Sequence, residues 1–145
     1  MADILHDFPI ATDARRVFEA ISAPKGLDHW WTQTSSGSPR EGAEYELRFG
    51  PGYDWRARVR RYVPDREFEL EFTEAMDDWR GTRVSFELVP NGGGASTQLR
   101  FRHTGWPAAS EHYRISCFCW AMYLRVMRRW LEHGEEVEYE RRLDV

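Results

Sequence analysis

Along the middle of the chain apolar and polar residues alternate with a period of two. Tyr45, Leu47 and Phe49 alternate with Glu44, Glu46 and Arg48; Trp55, Ala57 and Val59 alternate with Arg56, Arg58 and Arg60; Phe68, Leu70 and Phe72 alternate with Glu67, Glu69 and Glu71. Val84, Phe86 and Leu88 continue the pattern, and Thr97, Leu99, Phe101 and His103 close it. Gly50-Pro51-Gly52, Pro64-Asp65 and Pro90-Asn91-Gly92-Gly93-Gly94 separate the runs as turns. Such alternation buries one face of a sheet and leaves the other wet, so it predicts an antiparallel meander. Ahead of it, Asp3 to Ile10 places Ile4, Phe8 and Ile10 on one parity with His6, a first strand.

Elsewhere the period changes to that of a helix. Thr12 is the expected cap of a helix carrying Ala14, Val17, Phe18 and Ile21 at helical spacing. Pro24 stands in the first turn of a second short helix, where its missing N–H costs nothing, and this helix leads into His29-Trp30-Trp31. Thr32 to Gly42 reads as a loop. Ser110 to Gly134 predicts a long helix of ~36 Å, with Gly134 as its stop. Tyr113, Cys117, Trp120, Leu124, Met127 and Leu131 form one stripe of it. Ile115, Cys119, Met122, Tyr123, Val126 and Trp130 widen the apolar arc past half the circumference. A surface helix needs a stripe of only ~100°, so this one is covered on more than one side or closes over a cavity.

The hairpin registers extend the reading. With Pro64-Asp65 as a two-residue turn, Arg60 faces Glu69 and Arg58 faces Glu71 on the outer surface, each pair worth ~0.2–1 kcal/mol. The arginine-rich run Arg56 to Arg61 is then a neutralised solvated face and not a nucleic-acid stripe. On the inner face Leu70 meets Val59 and Phe72 meets Ala57. Comparable registers in the next two hairpins put Phe72, Val84 and Phe101 in one row and Leu70, Phe86 and Leu99 in another. Glu74, Thr82 and His103 follow at one end, near Trp55. With strands ~4.8 Å apart, Glu74 and His103 stand two spacings from each other, placed to clasp a water or a ligand's polar group. In the alternative, Glu74 opens the loop Ala75 to Gly81 and reaches solvent. His6 is either a core histidine or a pocket group.

Composition narrows the function. The 145 residues carry 20 Lys+Arg against 24 Asp+Glu, a net charge of −4, which gives no electrostatic footprint for nucleic acid or an anionic membrane. The length fits one domain, residues 1–145. Seven Trp, six Tyr and eight Phe are a heavy aromatic load, the first hint of function. Cys117 and Cys119 exclude a disulfide scaffold and a multi-cysteine zinc site; two apart on a helix, they point to different faces and read as buried free thiols of a reducing compartment. With no secretory signal and no apolar run of the ~20 residues a spanning helix needs, the expected location is cytoplasmic and no membrane insertion is expected. The five His have no metal-ligand spacing, and Asn91-Gly92-Gly93-Gly94 lacks the Lys and helix of a phosphate loop, so no metal or cofactor is expected. No nucleophile elbow is present, and neither thiol has an evident base; catalytic residues are unassigned.

Strand, two short helices, meander and long terminal helix together resemble the helix-grip fold of the START-like, or SRPBCC, superfamily (the Bet v 1-like architecture). Within it the chain resembles the family related to the C-terminal domain of the activator of heat-shock protein 90 ATPase. The residues carrying this are Ile10-Ala11-Thr12-Asp13 leading into Val17-Phe18-Glu19-Ala20-Ile21, then His29-Trp30-Trp31, Val84-Ser85-Phe86-Glu87-Leu88, Leu99 to Trp106, and Cys119-Trp120 to Gly134. The resemblance implies an α+β fold in which a curved antiparallel sheet wraps around the C-terminal helix, with two short helices between the first two strands. It also implies a cavity that often holds a hydrophobic small molecule; relatives include lipid carriers, hormone receptors, polyketide cyclases and chaperone-associated domains. Cys119 departs from the Gly that relatives often have there, narrowing the cavity. The charged tail Glu135 to Val145 runs past the usual end, as an edge strand or a dimer contact through Val137, Tyr139 and Leu143.

The leading expectation is a binding protein for a small hydrophobic guest, aromatic or lipid-like. Its walls would be Trp55, Phe72, Phe86, Phe101, Tyr113, Cys117, Trp120 and Tyr123, with Trp31 and Trp79 near the mouth and His103 and Glu74 as polar anchors. Alternatively these aromatics fill the interior and leave no cavity. Two other functions use the same residues or the outer face: a cyclase- or hydrolase-type enzyme with His103 as general acid/base, and a chaperone-interaction module. The candidate partners are a small ligand, a second copy of the chain and a chaperone.

Overall fold

A computed structural model describes residues 1–145. The chain runs β1 (Ala2–Ile10), α1 (Ala14–Ser22), α2 (Pro24–Leu27), β2 (Thr34–Ser36), β3 (Glu44–Arg48), β4 (Asp54–Val63), β5 (Glu67–Glu74), β6 (Arg83–Asn91), β7 (Ser96–Trp106) and α3 (Glu111–His133). The strands form one seven-stranded antiparallel sheet in the order β1-β7-β6-β5-β4-β3-β2: β2 to β7 form a meander, and the connection from β1 to β2, which carries the two short helices, crosses from one edge of the sheet to the other. The sheet is curved, and α1, α2 and α3 cover its concave face: the α+β helix-grip architecture. The alternation explains the layering, since Ile4, Leu47, Ala57, Val59, Leu70, Val84, Phe86 and Leu99 are all fully buried on that face. Each such aliphatic or Phe side chain contributes ~1.5–3 kcal/mol relative to exposure.

The helix ends follow local chemistry. The Ser110 hydroxyl accepts from the Tyr113 N–H at the start of α3, and Gly134 ends it in the left-handed conformation, φ 70°. At α1 the expectation is corrected: Asp13, not Thr12, is the cap, its carboxylate accepting from the Arg16 N–H at 2.8 Å. Thr12 instead accepts a hydrogen bond at its carbonyl from the Thr97 hydroxyl, 2.8 Å, locking the start of α1 to β7. The segment expected as a loop from Thr32 to Gly42 contains β2, which pairs Ser35 with Leu47 at the sheet's edge.

Three register shifts separate the observed sheet from the predicted rows. Ala57–Phe72, Val59–Leu70 and Arg58–Glu71 pair as expected. Arg60 does not face Glu69: it is the extra residue of a bulge, and beyond it Arg61 pairs Glu69 and Tyr62 pairs Phe68. Without the bulge Arg61 would point into the core opposite Phe68; with it Tyr62 does. The turn is correspondingly a three-residue one, Asp65 adopting φ 62° between Val63 and Glu67. Thr73 is a second extra residue, and Gly105, at φ 89°, sits in a third shift. The predicted rows across β5, β6 and β7 are also displaced by two residues: Leu70, Val84 and His103 form one and Phe68, Phe86 and Phe101 the next.

The outer face is laced by ion pairs, among them Arg60–Glu71 at 2.5 Å, Arg61–Glu67 at 2.5 Å and Arg83–Glu69 at 3.2 Å. Exposed pairs of this kind contribute little each, ~0–1 kcal/mol. The C-terminal tail is neither an edge strand nor a projecting arm. The Tyr139 hydroxyl donates to the Phe49 carbonyl at 2.7 Å, and the buried Arg142 guanidinium donates to the carbonyls of Val137, Thr32 and Asp28. Tail residues thereby join the α2–β2 connection to the end of α3, while Leu143 stays exposed.

Gly26 is where α2 crosses α1 most closely: a Cβ built there would lie 2.4 Å from the Glu19 carbonyl oxygen and 2.7 Å from the Ala20 Cα. Backbone atoms cannot move aside as a flexible side chain would. Gly26→Ala is therefore expected to lower stability by ~1–3 kcal/mol, read as the shift in a urea unfolding midpoint at unchanged m-value.

Candidate functional site

Aromatic residues from β5, β6, β7, α3 and two connecting segments meet between the sheet and α3. Trp120, at mid-helix, lies with its ring centroid 4.5 Å from Phe101, 5.0 Å from Trp31, 6.0 Å from Trp79 and 6.4 Å from Trp30. Phe72 packs edge-on against Trp31 and Trp79, and Phe86 edge-on against Phe101. Each such contact is worth ~0.5–1.5 kcal/mol beyond the area it buries. Of the twelve predicted site residues, seven form this cluster: Trp31, Phe72, Trp79, Phe86, Phe101, His103 and Trp120. Neither Trp31 nor Trp79 is at an open mouth; they are 1% and 6% exposed.

The other five surround or leave it. Trp55 is half-buried at the rim, 4.8 Å from Trp79. Tyr113 packs on Trp106 and donates its hydroxyl to the Asp3 carbonyl at 2.6 Å. Cys117 is half-buried, its carbonyl 3.3 Å from His6 Nε2 and its Sγ 3.9 Å from the same nitrogen. Tyr123 lies on the tail side of Trp120; burial, with Cys119 and Tyr139 nearby, pushes its phenol up to about 12. Glu74 is corrected: the extra residue Thr73 turns it out of the interior, and its carboxylate pairs with Arg56 at 3.5 Å on the outer surface. It therefore shares no site with His103.

His103 is completely buried, and its surroundings fix its state. The Trp120 Nε1–H donates to His103 Nδ1 at 3.0 Å, leaving Nε2 to carry the proton. Nε2–H donates to the Thr82 hydroxyl at 2.8 Å, and that hydroxyl donates to the Trp79 carbonyl at 2.5 Å. Every group in this chain has a partner, and it joins α3, β7 and the 75–81 loop. Burial, assisted by His112, pushes the imidazole down to about 3, so it stays neutral. Neither nitrogen is free to take a proton from a guest, and the general acid/base role has no atom to act through.

Sequence reasoning missed Trp106 and Trp30 as parts of the cluster. Trp106 is off the inward parity of β7 and is brought in by the shift at Gly105; a Gly inside an alternating strand was the available signal. Trp30 is fully buried and donates its indole N–H to the Ala20 carbonyl at 2.9 Å. Also unforeseen is the tie between the 75–81 loop and α3, His112 Nδ1 to Asp78 Oδ2 at 2.7 Å. Two buried donors have no partner at all, the indole N–H groups of Trp79 and Trp106, whose rings lie 5.7 Å apart.

Two surface hollows beside the helices lie outside this cluster. One of about 330 Å³ sits between α1, α2 and the end of α3, against Gly26, His29 and Trp130. Another of about 350 Å³ runs between β1 and α3, along His6, Phe8, Leu124 and Arg128. No group of three or more His, Cys, Asp or Glu is disposed to hold a metal ion. No helix is long and apolar enough to cross a membrane.

The family profile described as "Activator of Hsp90 ATPase homolog 1-like protein" matches residues 11–132. The chain belongs to this family. Among solved structures, the Aha1 dimer from Colwellia psychrerythraea is similar at 26% identity and TM-score 0.83, over 93% of this chain and 99% of that one. A Mesorhizobium loti protein matches at 17% identity and TM-score 0.81, over 92% and 99% of the two chains. CalU16 from Micromonospora echinospora matches at 19% identity and TM-score 0.73, over 97% and 81%. The last two share the fold. A comparison with curated proteins finds no match.

Burial of neutral His103 ties stability to pH. Between pH 6.5, the ordinary histidine value, and about 3 the unfolded chain binds a proton that the native protein refuses. Stability is thus expected to fall as pH drops through this window, by at most ~1.4 kcal/mol per pH unit from this group. Urea unfolding of wild type and His103→Phe across that range checks it: the variant should be less stable at neutral pH and show the shallower acid slope. Equal slopes would contradict a buried neutral imidazole.

Proposed function

We propose that this family member binds a small aromatic or otherwise hydrophobic molecule between the sheet and α3, admitting it by withdrawal of the Trp79 indole. The observation that carries this reading is the pair of buried, unpartnered indole donors, Trp79 and Trp106, at the end of the cluster closed by the 75–81 loop. A buried donor without an acceptor costs ~1–3 kcal/mol, and a guest bearing an oxygen acceptor would remove that cost for Trp106. Trp79 is the movable member. Its backbone is pinned, by Met76, by the Thr82 N–H and hydroxyl on its carbonyl, and by the Asp78–His112 contact, but its indole hangs from a turn and can swing about its own side-chain torsions, whereas Phe72, Phe101 and Trp106 are on paired strands.

The family's description supports a second reading, a chaperone-docking module. Such docking would use the outer sheet face, where Arg56, Arg60, Arg61, Arg83 and Arg100 already pair with glutamates of their own sheet. A face with its charges internally matched offers a partner little, which puts ligand binding first. Self-association belongs to the proposal as well, since the similar Colwellia structure is that of a dimer. The two free thiols fit a reducing compartment such as the cytoplasm.

Naphthalene and 2-naphthol, titrated by tryptophan fluorescence and checked by native mass spectrometry, test the reading. 2-Naphthol should bind about tenfold more tightly, as one hydrogen bond to an otherwise unsatisfied donor allows. Trp106→Phe should erase that preference, and Trp79→Ala should tighten both probes by removing the group they displace. Failure of both wild type and Trp79→Ala to take up either probe would refute the proposal.

A further inference from the structure

One face of α3 looks away from the sheet and is largely exposed, with Met122 half-buried at its edge. Along it lie Glu111, Arg114, Ile115, Phe118, Met122 and Arg125, with Ile115 52% and Phe118 59% exposed. At 100° per residue these six fall within about 60° of a line through Phe118. They form an apolar centre, Ile115-Phe118-Met122, bracketed by charges. Further along the helix Arg128 pairs with Glu132 and Arg129 with Glu135, but Glu111, Arg114 and Arg125 have no ion-pair partner in their own chain.

The order of these residues is self-complementary. If a second copy of α3 is laid antiparallel on this face about a two-fold axis at Phe118, Phe118 meets its own counterpart. Ile115 then meets the second copy's Met122, because both lie on the same side of the line, three and four residues from the axis, a mismatch of one ~1.5 Å helical rise. Glu111 meets the second copy's Arg125, and the same contact recurs on the other side of the axis. A face that joins apolar to apolar and acid to base only when turned on itself is what an isologous contact requires. We infer that the exposed face of α3 around Phe118 is a homodimer interface, formed by antiparallel pairing of the two helices with Glu111–Arg125 pairs at each end. This deepens the self-association proposed above by assigning its surface. The exposed edge strand β1, with Leu5 62% exposed, is the competing location.

Sedimentation equilibrium of the full chain at micromolar concentration, at low and high salt, tests the assignment. Wild type should be a dimer. Phe118→Asp should be monomeric at the same concentration with an unchanged far-ultraviolet spectrum, because Phe118 is 59% exposed in its own chain and outside its core. Glu111→Arg should weaken the dimer at low salt by about two- to fivefold or more, and adding Arg125→Glu to it should restore the affinity. A wild type that is monomeric throughout overturns both the dimer and its surface. A dimer that survives Phe118→Asp but is lost in Leu5→Asp leaves self-association standing and overturns the assignment to α3.

Discussion

The N–H of one indole has to be satisfied in the middle of the molecule. Trp120 projects from the centre of α3 into the concave face of the sheet, where it is almost completely buried. An indole N–H buried there without a partner would cost about as much as a buried aromatic contact gains. His103 supplies the acceptor, which forces the imidazole to be neutral and protonated on Nε2; Thr82 then accepts that proton's hydrogen bond and passes its own to the Trp79 carbonyl. A requirement at one atom of the helix thereby fixes a tautomer on β7, a hydroxyl rotor at the start of β6, and the position of the loop that carries Trp79. The aromatic rings around Trp120 pack as they do because this chain sets its height and rotation.

The same chain explains why a histidine that alternation places on the inner face is structural and not chemical. Its two nitrogens are the only polar atoms that could receive and relay hydrogen bonds between helix and loop without burying a charge. Serine or asparagine at position 103 would either fall short of one partner or bring additional donors to satisfy. Desolvation then drives the imidazole's proton affinity down, the reverse of what a general base working near neutral pH requires. At position 103 the interior is therefore built for cohesion between helix, sheet and loop.

Much of the architecture was legible because alternation and helical period are local properties. The strands β3 to β7, the long helix with its Ser110 and Gly134 ends, and the membership of Phe72, Phe86, Phe101 and Trp120 in one core all follow from residue order. What was not legible depends on tertiary geometry. β2 is three residues long, and its pairing with β3 is specified by the Ser35 hydroxyl reaching the Pro24 carbonyl and Asp28 carboxylate, not by any pattern of its own. The tail carries too many charges to predict burial, yet Arg142 is buried because two carbonyls of the α2–β2 connection and one of the tail itself converge on its guanidinium. Glu74 was misplaced because parity counting cannot see an extra residue in a strand, and Trp106 was overlooked for the same reason.

Those extra residues act in a common direction. At Arg60 the shift keeps Arg61 out and turns Tyr62 toward Phe68; at Thr73 it expels Glu74; at Gly105 it turns Trp106 inward. Each shift removes a charge from the concave face or adds an aromatic to it, so the interior is sealed by irregularities in the strands and not by their regular pattern. Two of the three, at Thr73 and Gly105, flank the 75–81 loop. The loop thus leaves a sheet that has just changed parity on one side and returns beside one that has changed parity on the other, with Gly81 bonded back to the Phe72 carbonyl. The Phe72 N–H also donates to the Thr82 carbonyl, so the base of the loop is fixed and its freedom lies in the turn between the anchors. The loop that closes this end of the aromatic cluster is also the one that carries Trp79, so under the proposed ligand-binding function closure and access would be decided by the same eight residues between β5 and β6.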